Sequence, residues 1–166
     1  MPGNPTITSK IILREAVRAD IPRLALLHMI TWDATYPDEQ YKPSFETRET
    51  QWIRSFDTEQ NWFCYVLENE KTELIGFAKG KKERDGSGNL NTLYLIEAYK
   101  YQGFGRVLIG QVIRRFIHEG IRSMWVVAES DNTIACMFYE KMGGIRKTDT
   151  DPGVSVYVWK DITSFV

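Results

Sequence analysis

Apolar and polar residues at the start of the chain alternate in a pattern that predicts one strand followed by two helices. Residues 11–16 (IILREA) alternate with period two, which is typical of a half-buried strand. Asp20 then stands where a helix N-cap is expected, before the apolar sequence IPRLALLHMITW. Ser44 is placed to cap a second helix. The apolar residues of that helix fall on one face: Phe45, Trp52, Ile53 and Phe56.

Three β-rich segments follow, at residues 62–68, 73–83 and 89–97. The polar turn sequences NEKT and RDGSG separate them, so we expect the strands to pair as an antiparallel meander. The basic run KGKKER, at 79–84, is either an anion-binding patch or a solvated strand end beside a hairpin, and the second interpretation is favoured.

A third helix is predicted from an apolar stripe that ends before Gly120, a residue suited to a helix C-terminus. The stripe consists of Val107, Leu108, Val112, Ile113, Phe116 and Ile117. Residues 123–129 (SMWVVAE) predict a short buried strand, and residues 153–162 predict the last strand. Between them, Asp131 is expected to cap a fourth helix. That helix should run to Met142 and end at Gly143 and Gly144.

This order of elements, βααβββαβαββ, predicts an α/β (α+β) fold. The strand, helix and strand over residues 90–128 imply a right-handed parallel crossover, whereas the preceding meander is antiparallel. We therefore expect a mixed central sheet of about seven strands with about four helices on its two faces.

Two glycines, Gly103 and Gly105, precede the third helix in the sequence YKYQGFGRVLIG. They have two interpretations of equal weight: a tight strand-to-helix turn, or a site where unpaired helix amides hold a phosphate. A dinucleotide-binding GxGxxG loop is disfavoured because Leu108 occupies the third glycine position, although Glu129 lies near the place of a ribose-binding acid. A Walker loop is excluded because no GK[ST] follows.

Composition predicts one domain over residues 1–166, with 43% apolar and 13% aromatic residues. The net charge of −1 and pI near 6.2 offer no general attraction for a polyanion, so nucleic acid is not an expected partner. Cys64 and Cys136 lie far apart and fit no zinc-site spacing; they predict free, buried thiols and a reducing compartment. We expect no metal.

A soluble, cytoplasmic protein without a membrane partner is also predicted. The N-terminal residues MPGNPTITSK contain no apolar signal-peptide segment, and the longest apolar run, MWVVA, is too short to span a bilayer.

Two segments, residues 93–109 (LYLIEAYKYQGFGRVLI) and 128–144 (AESDNTIACMFYEKMGG), resemble linked motifs of the GNAT superfamily of acetyl-CoA-dependent N-acetyltransferases. The first is similar to a Q/R-x-x-G-x-G/A loop and the second to an N-x-x-A-x-x-F-Y-E-K-x-G helix. Their order and spacing make the resemblance specific over residues 89–144. Lys100 departs from the family's Gln or Arg, and it keeps the positive charge but loses the planar head.

The resemblance implies a sheet in which strands four and five splay apart and acetyl-CoA as the cosubstrate. The pantetheine arm would run beside main-chain groups of Leu93, Tyr94 and Leu95, and an amide there would polarise the thioester carbonyl. Asn132 would contact the cofactor or, alternatively, serve the first turn of its helix. The diphosphate would lie on amides of the glycine loop, flanked by Lys100: Tyr101, Gln102, Gly103, Phe104, Gly105 and Arg106.

The resemblance also assigns catalytic and acceptor-binding candidates. Tyr139 is expected to protonate the leaving coenzyme A sulfur, although its helical spacing alone favours a packing role. Glu97 is the candidate base, with a surface carboxylate as the alternative, because Asn89 occupies the position of the family's strand-four glutamate. Aromatic residues after the first helix would border the acceptor pocket or pack that helix: Trp32, Tyr36 and Tyr41.

The predicted function is acetyl transfer from acetyl-CoA to a primary amine by direct attack in a ternary complex. The alternative of another class is a noncatalytic acyl-CoA-binding or sensing module, and a nucleotide-dependent oxidoreductase ranks third. The expected partners are acetyl-CoA and an amine acceptor, with a homodimer left open. His28 and His118 are interpreted as helix-face residues without a catalytic role.

Overall fold

Seven strands and four α-helices make up the computed structural model, which describes residues 10–148 and 151–165. In chain order they are β1 (Ile12–Glu15), α1 (Ile21–Thr35), α2 (Phe45–Thr58), β2 (Trp62–Glu68), β3 (Leu74–Lys82), β4 (Gly88–Leu95), α3 (Phe104–His118), β5 (Met124–Glu129), α4 (Thr133–Lys141), β6 (Ile145–Arg146) and β7 (Val154–Trp159). The predicted class and element order are confirmed. The N-terminal residues 1–9, on which the expectation about signal peptides depends, lie outside the described residues.

The strands form one mixed sheet in the order β1-β2-β3-β4-β5-β7-β6. Every neighbouring pair is antiparallel except β4 and β5, which are parallel. These two strands pair only at Gly88 with Met124 and at Asn89 with Trp125. Beyond Asn89 they diverge, which confirms the predicted splay. The Asn89 amide donates to the Trp125 carbonyl over 3.4 Å at the closed end of this splay.

Each face of the sheet is covered by its own apolar core. Helices α3 and α4 lie on one face, where their buried residues pack against β2 to β5 and β7. Helices α1 and α2 lie on the other face, over a smaller core formed by Ile21, Leu24, Ala25, Leu27, Trp52, Cys64, Val66, Leu74 and Phe77. The open part of the β4–β5 splay therefore lies between helices of opposite faces.

Two of the predicted helix caps are wrong. The Asp20 carboxylate makes no capping bond to α1; it accepts from the Val17 amide at 2.8 Å and pairs with Arg14 and Arg23. Two guanidinium groups hold this buried carboxylate more strongly than helix amides would. At α4 the cap is Asn132, whose Oδ1 accepts from the Ala135 amide at 3.2 Å.

The other predicted helix ends are confirmed. Ser44 Oγ accepts from the Thr47 amide at 3.1 Å and caps α2. Gly120 and Gly143 follow α3 and α4 with φ of 79° and 91°, respectively, the left-handed conformation that ends a helix.

The predicted helix faces and the basic run also need correction. Ile53 and Val107 were expected on apolar faces, yet they are exposed. Lys79 was expected at a solvated strand end, but it is largely buried and pairs with Glu59 at 2.7 Å. The ammonium of Lys79 also lies 4.9 Å from the ring centre of Trp62, so contacts from α2 and β2 replace water around it.

The two cysteines are free thiols, but only Cys64 is buried, whereas Cys136 is half-buried. Within residues 10–148 and 151–165, no helix has both the length and the apolar content to cross a membrane. The same residues contain no group of His, Cys, Asp and Glu side chains arranged to hold a metal ion.

Candidate active site

The N-terminus of α3 presents backbone amides without protein partners. Gly103 precedes the helix with φ of 90°, and an added Cβ there would meet no atom within 4 Å. The first helical bond is donated by the Val107 amide to the Gly103 carbonyl at 3.2 Å. In the described part of the chain, no side chain caps the helix and no backbone oxygen accepts from the amides of Phe104, Gly105 and Arg106. Unpaired amides at the positive end of a helix can hold an anion.

Gly105 has a packing role that differs from the role of Gly103. A Cβ at this position would lie 3.1 Å from Cε2 of Phe138, on α4. The bare backbone of Gly105 therefore lets α3 and α4 approach each other. Gly103 thus fits the interpretation as part of an open helix N-terminus, whereas Gly105 fits the interpretation as a residue that permits tight packing.

Two side chains of the glycine loop, residues 100–106, bind groups of the preceding turn. Lys100 pairs with Glu97 at 3.0 Å, and Gln102 Nε2 donates to the Ala98 carbonyl at 2.9 Å. Tyr101 has φ of 62° and is 83% exposed. Arg106 stacks its guanidinium 5.9 Å from the ring centre of Phe165. An anion at this site would therefore be held chiefly by backbone amides.

The end of β4 offers an unpaired strand edge beside the α3 N-terminus. The Ile96 amide donates to the Ile75 carbonyl of the neighbouring chain segment at 2.9 Å. Because backbone groups alternate in direction along a strand, the amides of Leu93 and Leu95 point away from β3, toward the splay. A bulge at Asn91 shifts the β3–β4 register just before this stretch.

Three tyrosines from separate segments, Tyr36, Tyr94 and Tyr139, are electrostatic neighbours in the fold. Tyr139, on α4, is 6% exposed, and its pKa is raised by burial and then by nearby Tyr94, Cys136 and Tyr36. Burial, with a further contribution from Tyr36, raises the pKa of Tyr94 to about 12. The three hydroxyls therefore lie within electrostatic range of one another and stay protonated near neutral pH. Sequence analysis assigned these residues to catalysis, cofactor and substrate, and the fold brings them together.

Two carboxylates near the splay differ in their surroundings. Glu97, the predicted base, is 70% exposed in a short 3₁₀ turn after β4 and pairs with Lys100. Glu129 ends β5 and raises the pKa of both Tyr36 and Tyr94. Sequence analysis considered Glu129 only as a dinucleotide ligand. Glu129 is the last residue of the predicted strand that lies across the splay from β4. That position could have identified it as a candidate site residue.

Two of the three predicted acceptor residues, Tyr36 and Tyr41, line a cavity of 480 Å³. Its lining consists of residues 35–41 and Asp131. Trp32 packs against Tyr36 with ring centres 5.1 Å apart. Burial raises the pKa of Tyr36, and nearby Asn132, the cap of α4, opposes that shift. Of the three tyrosines near the splay, Tyr36 lines the cavity.

His28 was interpreted as a helix-face residue, and the structure places it on the face of α1 that packs against the sheet. Its ring lies 5.4 Å from Phe77 and 5.9 Å from Tyr94, centre to centre, and its Nδ1 is buried without a partner. Burial, followed by the charges of Arg48 and Lys79, lowers the pKa of His28 to about 3. His28 follows Ala25 by three residues and Leu24 by four, so it shares the helix face of these buried residues. Sequence analysis did not use this spacing.

Comparison with known proteins identifies the family of this fold and site. Residues 24–144 match the profile of the "Acetyltransferase (GNAT) family". The chain belongs to this family. It is 26% identical to the uncharacterized N-acetyltransferase YuaI of Bacillus subtilis, over 93% of this chain and 95% of that protein. The resemblance stated from the two sequence motifs is confirmed.

Solved structures share the GNAT fold of this chain. The PaiA N-acetyltransferase of Thermoplasma acidophilum, in complex with coenzyme A, has a TM-score of 0.75 and 21% identity, over 90% of this chain and 98% of that one. A spermidine N-acetyltransferase of Vibrio cholerae, in complex with coenzyme A and spermine, has a TM-score of 0.70 and 16% identity, over 93% and 97% of the two chains. This GNAT protein is therefore an acetyltransferase by family, and coenzyme A binds to neighbours of its fold.

Proposed function

We propose that this GNAT protein transfers an acetyl group from acetyl-CoA to a primary amine by direct attack in a ternary complex. The observation that supports this most is the set of unpaired amides at the α3 N-terminus, immediately beside the unpaired edge of β4. A ligand that carries both a diphosphate and an extended amide-containing arm matches this pair of features.

The donor would bind along these two backbone surfaces. Amides between Tyr101 and Arg106 would hold the diphosphate, and the pantetheine arm would pair with the edge formed by Leu93, Tyr94 and Leu95. An outward amide of that edge would stabilise the negative charge that develops on the thioester oxygen during attack. The adjacent Lys100 contributes positive charge, shared with Glu97.

Tyr139 would donate a proton to the departing thiolate. Burial keeps its phenol protonated, so the hydroxyl is available as a neutral acid. The attacking amine must lose its proton, since alkylamines are charged near neutral pH. Glu97 remains our proposed base, acting at its exposed position through water.

The acceptor would enter through the cavity lined by residues 35–41 and Asp131. Tyr36 would contact it because it lines the cavity, and Trp32 because its ring centre lies 5.1 Å from that of Tyr36. The hydroxyls of Tyr36 and Tyr94 would then lie beside the reacting amine.

An amine-dependent thiol-release assay tests this function. Protein, acetyl-CoA and members of an amine library are combined, free coenzyme A is detected with a thiol reagent, and products are identified by mass spectrometry. We expect thiol release that requires a particular amine and yields its N-acetyl derivative. Tight coenzyme A binding without release above the background for any amine would instead identify the noncatalytic binding module.

A further inference from the structure

Arg48 is a buried cation without a carboxylate partner. It lies on the inner face of α2 and is 7% exposed. Arg14, Arg18, Arg23 and Arg115 all form ion pairs, and each of the other described arginines apart from Arg48 is exposed to solvent. Among the arginines of residues 10–148 and 151–165, Arg48 is thus the one that neither forms an ion pair nor is exposed to solvent.

The protein groups around Arg48 satisfy only part of its guanidinium. Nη1 donates to Gln51 Oε1 at 3.0 Å, and the guanidinium lies 5.6 Å from the ring centre of Trp32. The Nε group is buried and has no hydrogen-bond partner. A guanidinium has five donors, so several remain to be satisfied.

Further unpaired polar atoms cluster around this arginine. Trp52 lies one helical turn after Arg48, is 4% exposed, and its indole N–H also lacks a partner. Asp33 Oδ1 and His28 Nδ1 are buried and unpaired as well. Burial lowers the pKa of Arg48 and nearby Asp33 opposes that shift, yet the two side chains form no ion pair. A single polar group bound between α1 and α2 could satisfy several of these atoms together.

The unpaired groups of this cluster favour a bound ligand. Leaving one buried donor unpaired destabilises a fold, and leaving a buried charge unpaired destabilises it further. A helix-packing residue would avoid that cost if it were apolar, as the neighbouring core of Leu24, Ala25 and Phe77 is. A functional role is one of the physical reasons for which proteins keep such unsatisfied groups.

The guanidinium lies on the acceptor side of the site. Tyr94 and Tyr41 are both within electrostatic range of Arg48. The guanidinium lies 5.6 Å from the ring centre of Trp32, and that ring centre lies 5.1 Å from the ring centre of Tyr36. Tyr36 and Tyr41 line the 480 Å³ cavity, so Arg48 lies close to the lining of the acceptor cavity.

We propose that Arg48 binds a carboxylate of the acceptor, so that the acceptor is an amine that also carries an acid group. This inference rests on the proposed acetyl transfer and narrows its substrate class. The planar guanidinium matches a carboxylate with two parallel bonds, and the Trp52 N–H provides a third donor. The nearby Asp33 disfavours a doubly charged phosphate, because the repulsion between them grows with the charge.

Matched acceptor pairs test the proposal. Initial rates are measured for lysine and cadaverine, tyrosine and tyramine, and phenylalanine and phenethylamine, each with wild type, Arg48→Met and the control Arg54→Met. Arg54 is an exposed residue of the same helix. Where the enzyme acetylates a pair, kcat/KM for the amino acid should be at least about tenfold higher than kcat/KM for the amine that lacks the carboxylate. We expect this preference for both wild type and the control. Arg48→Met should abolish that preference, and the ratio is insensitive to partial unfolding of the variant.

Binding of the N-acetyl products provides a readout that needs no turnover. N-acetylated lysine, tyrosine and phenylalanine and the matching N-acetyl amines are titrated calorimetrically into coenzyme A-saturated protein. Tighter binding of the acids to wild type than to Arg48→Met supports the proposal. It is overturned if wild type shows no preference for the acids in rate and in binding, or if Arg48→Met retains the preference. Absence of coenzyme A binding, by contrast, would contradict the proposed function itself.

Discussion

At the scale of single residues, Tyr139 combines two roles that sequence spacing presents as alternatives. Its ring packs among Phe138, Tyr157 and Trp159, as the helical spacing predicts. Its phenol also lies within electrostatic range of Tyr94 and Tyr36, two residues that the resemblance to the GNAT family places at the cofactor and the acceptor. Packing fixes the ring, and the burial that accompanies packing keeps the phenol protonated.

Substitution of Tyr139 by Phe should separate these roles. Loss of the hydroxyl removes the proposed proton donor but keeps the packed ring, so kcat should fall at least about tenfold. The coenzyme A dissociation constant, measured by calorimetry, should stay within about twofold of wild type. Tyr157→Phe is the matched control, because its hydroxyl binds Glu140 at 2.9 Å. Unchanged turnover of Tyr139→Phe would remove this residue from the acid role.

His28 should make the protein sensitive to acid. Its pKa in the fold is lowered to about 3, whereas the unfolded chain binds a proton near pH 6.5. The free energy of unfolding that neutral His28 contributes is thus fully present above pH 6.5 and is lost as the pH falls toward 3. The slope reaches about 1.4 kcal/mol per pH unit.

Urea unfolding at pH 6.5, 5.5 and 4.5 checks this expectation. His28→Phe, which keeps an aromatic ring between Phe77 and Tyr94, should show a shallower fall in unfolding free energy than wild type. The control His118→Gln alters an exposed residue at the end of α3 and should follow wild type. Equal slopes for His28→Phe and wild type would show that His28 is not the acid-sensitive group.

At the scale of elements, the start of α3 determines where the donor can bind. Gly103 has a positive φ and open space around it, so a short side chain can be placed there without a clash. Asn and Asp have the same shape and tolerate this conformation better than other residues do. They therefore differ only in charge beside the proposed diphosphate.

We expect Gly103→Asp to bind coenzyme A at least about tenfold more weakly than Gly103→Asn. A carboxylate at a helix N-terminus stabilises the helix, so weaker binding by the Asp variant would not result from unfolding. Calorimetric titration of both variants, together with their melting temperatures, provides the comparison. Equal affinities would contradict an anion site at these amides.

Element types were predictable because β2 to β4 are rich in strand-forming residues and α3 has a clear apolar stripe. The failures involve polar side chains whose partners come from distant elements. Lys79 is buried because it pairs with Glu59, which directly follows α2, and no local pattern shows that pairing. Strand β6 has only two residues, too short for a periodic signal.

At the scale of the whole molecule, a ligand that binds the donor site should stabilise the fold, and a ligand that lacks the diphosphate should stabilise it less. Coenzyme A at one hundred times its dissociation constant should raise the unfolding free energy by about 2.7 kcal/mol, or the melting temperature by about 5–10 °C. Pantetheine at the same concentration lacks the diphosphate and should give a much smaller shift. Stabilisation by NADH and not by coenzyme A would contradict the proposed function.

The site itself was only partly visible in the sequence. Residues of the two GNAT motifs were found because their spacing is local, as for Gly103 and Tyr139. Arg48 and His28 were missed because α1 and α2 bury polar groups against each other, and a pattern of apolar residues along one helix cannot show what its partner helix contributes.

The divergence of β4 and β5 has a consequence for self-association. A free strand edge normally lies at the margin of a sheet, where it can recruit another polypeptide and begin aggregation. Here the edge at Leu93 and Leu95 lies in the interior of the sheet, inside a wedge closed at Asn89 and Trp125. Beyond that closed end the edge is flanked by β5, so a ligand that pairs with it would have to enter between the two strands. The same flanking strand places this edge away from the margin of the sheet, where another copy could add a strand.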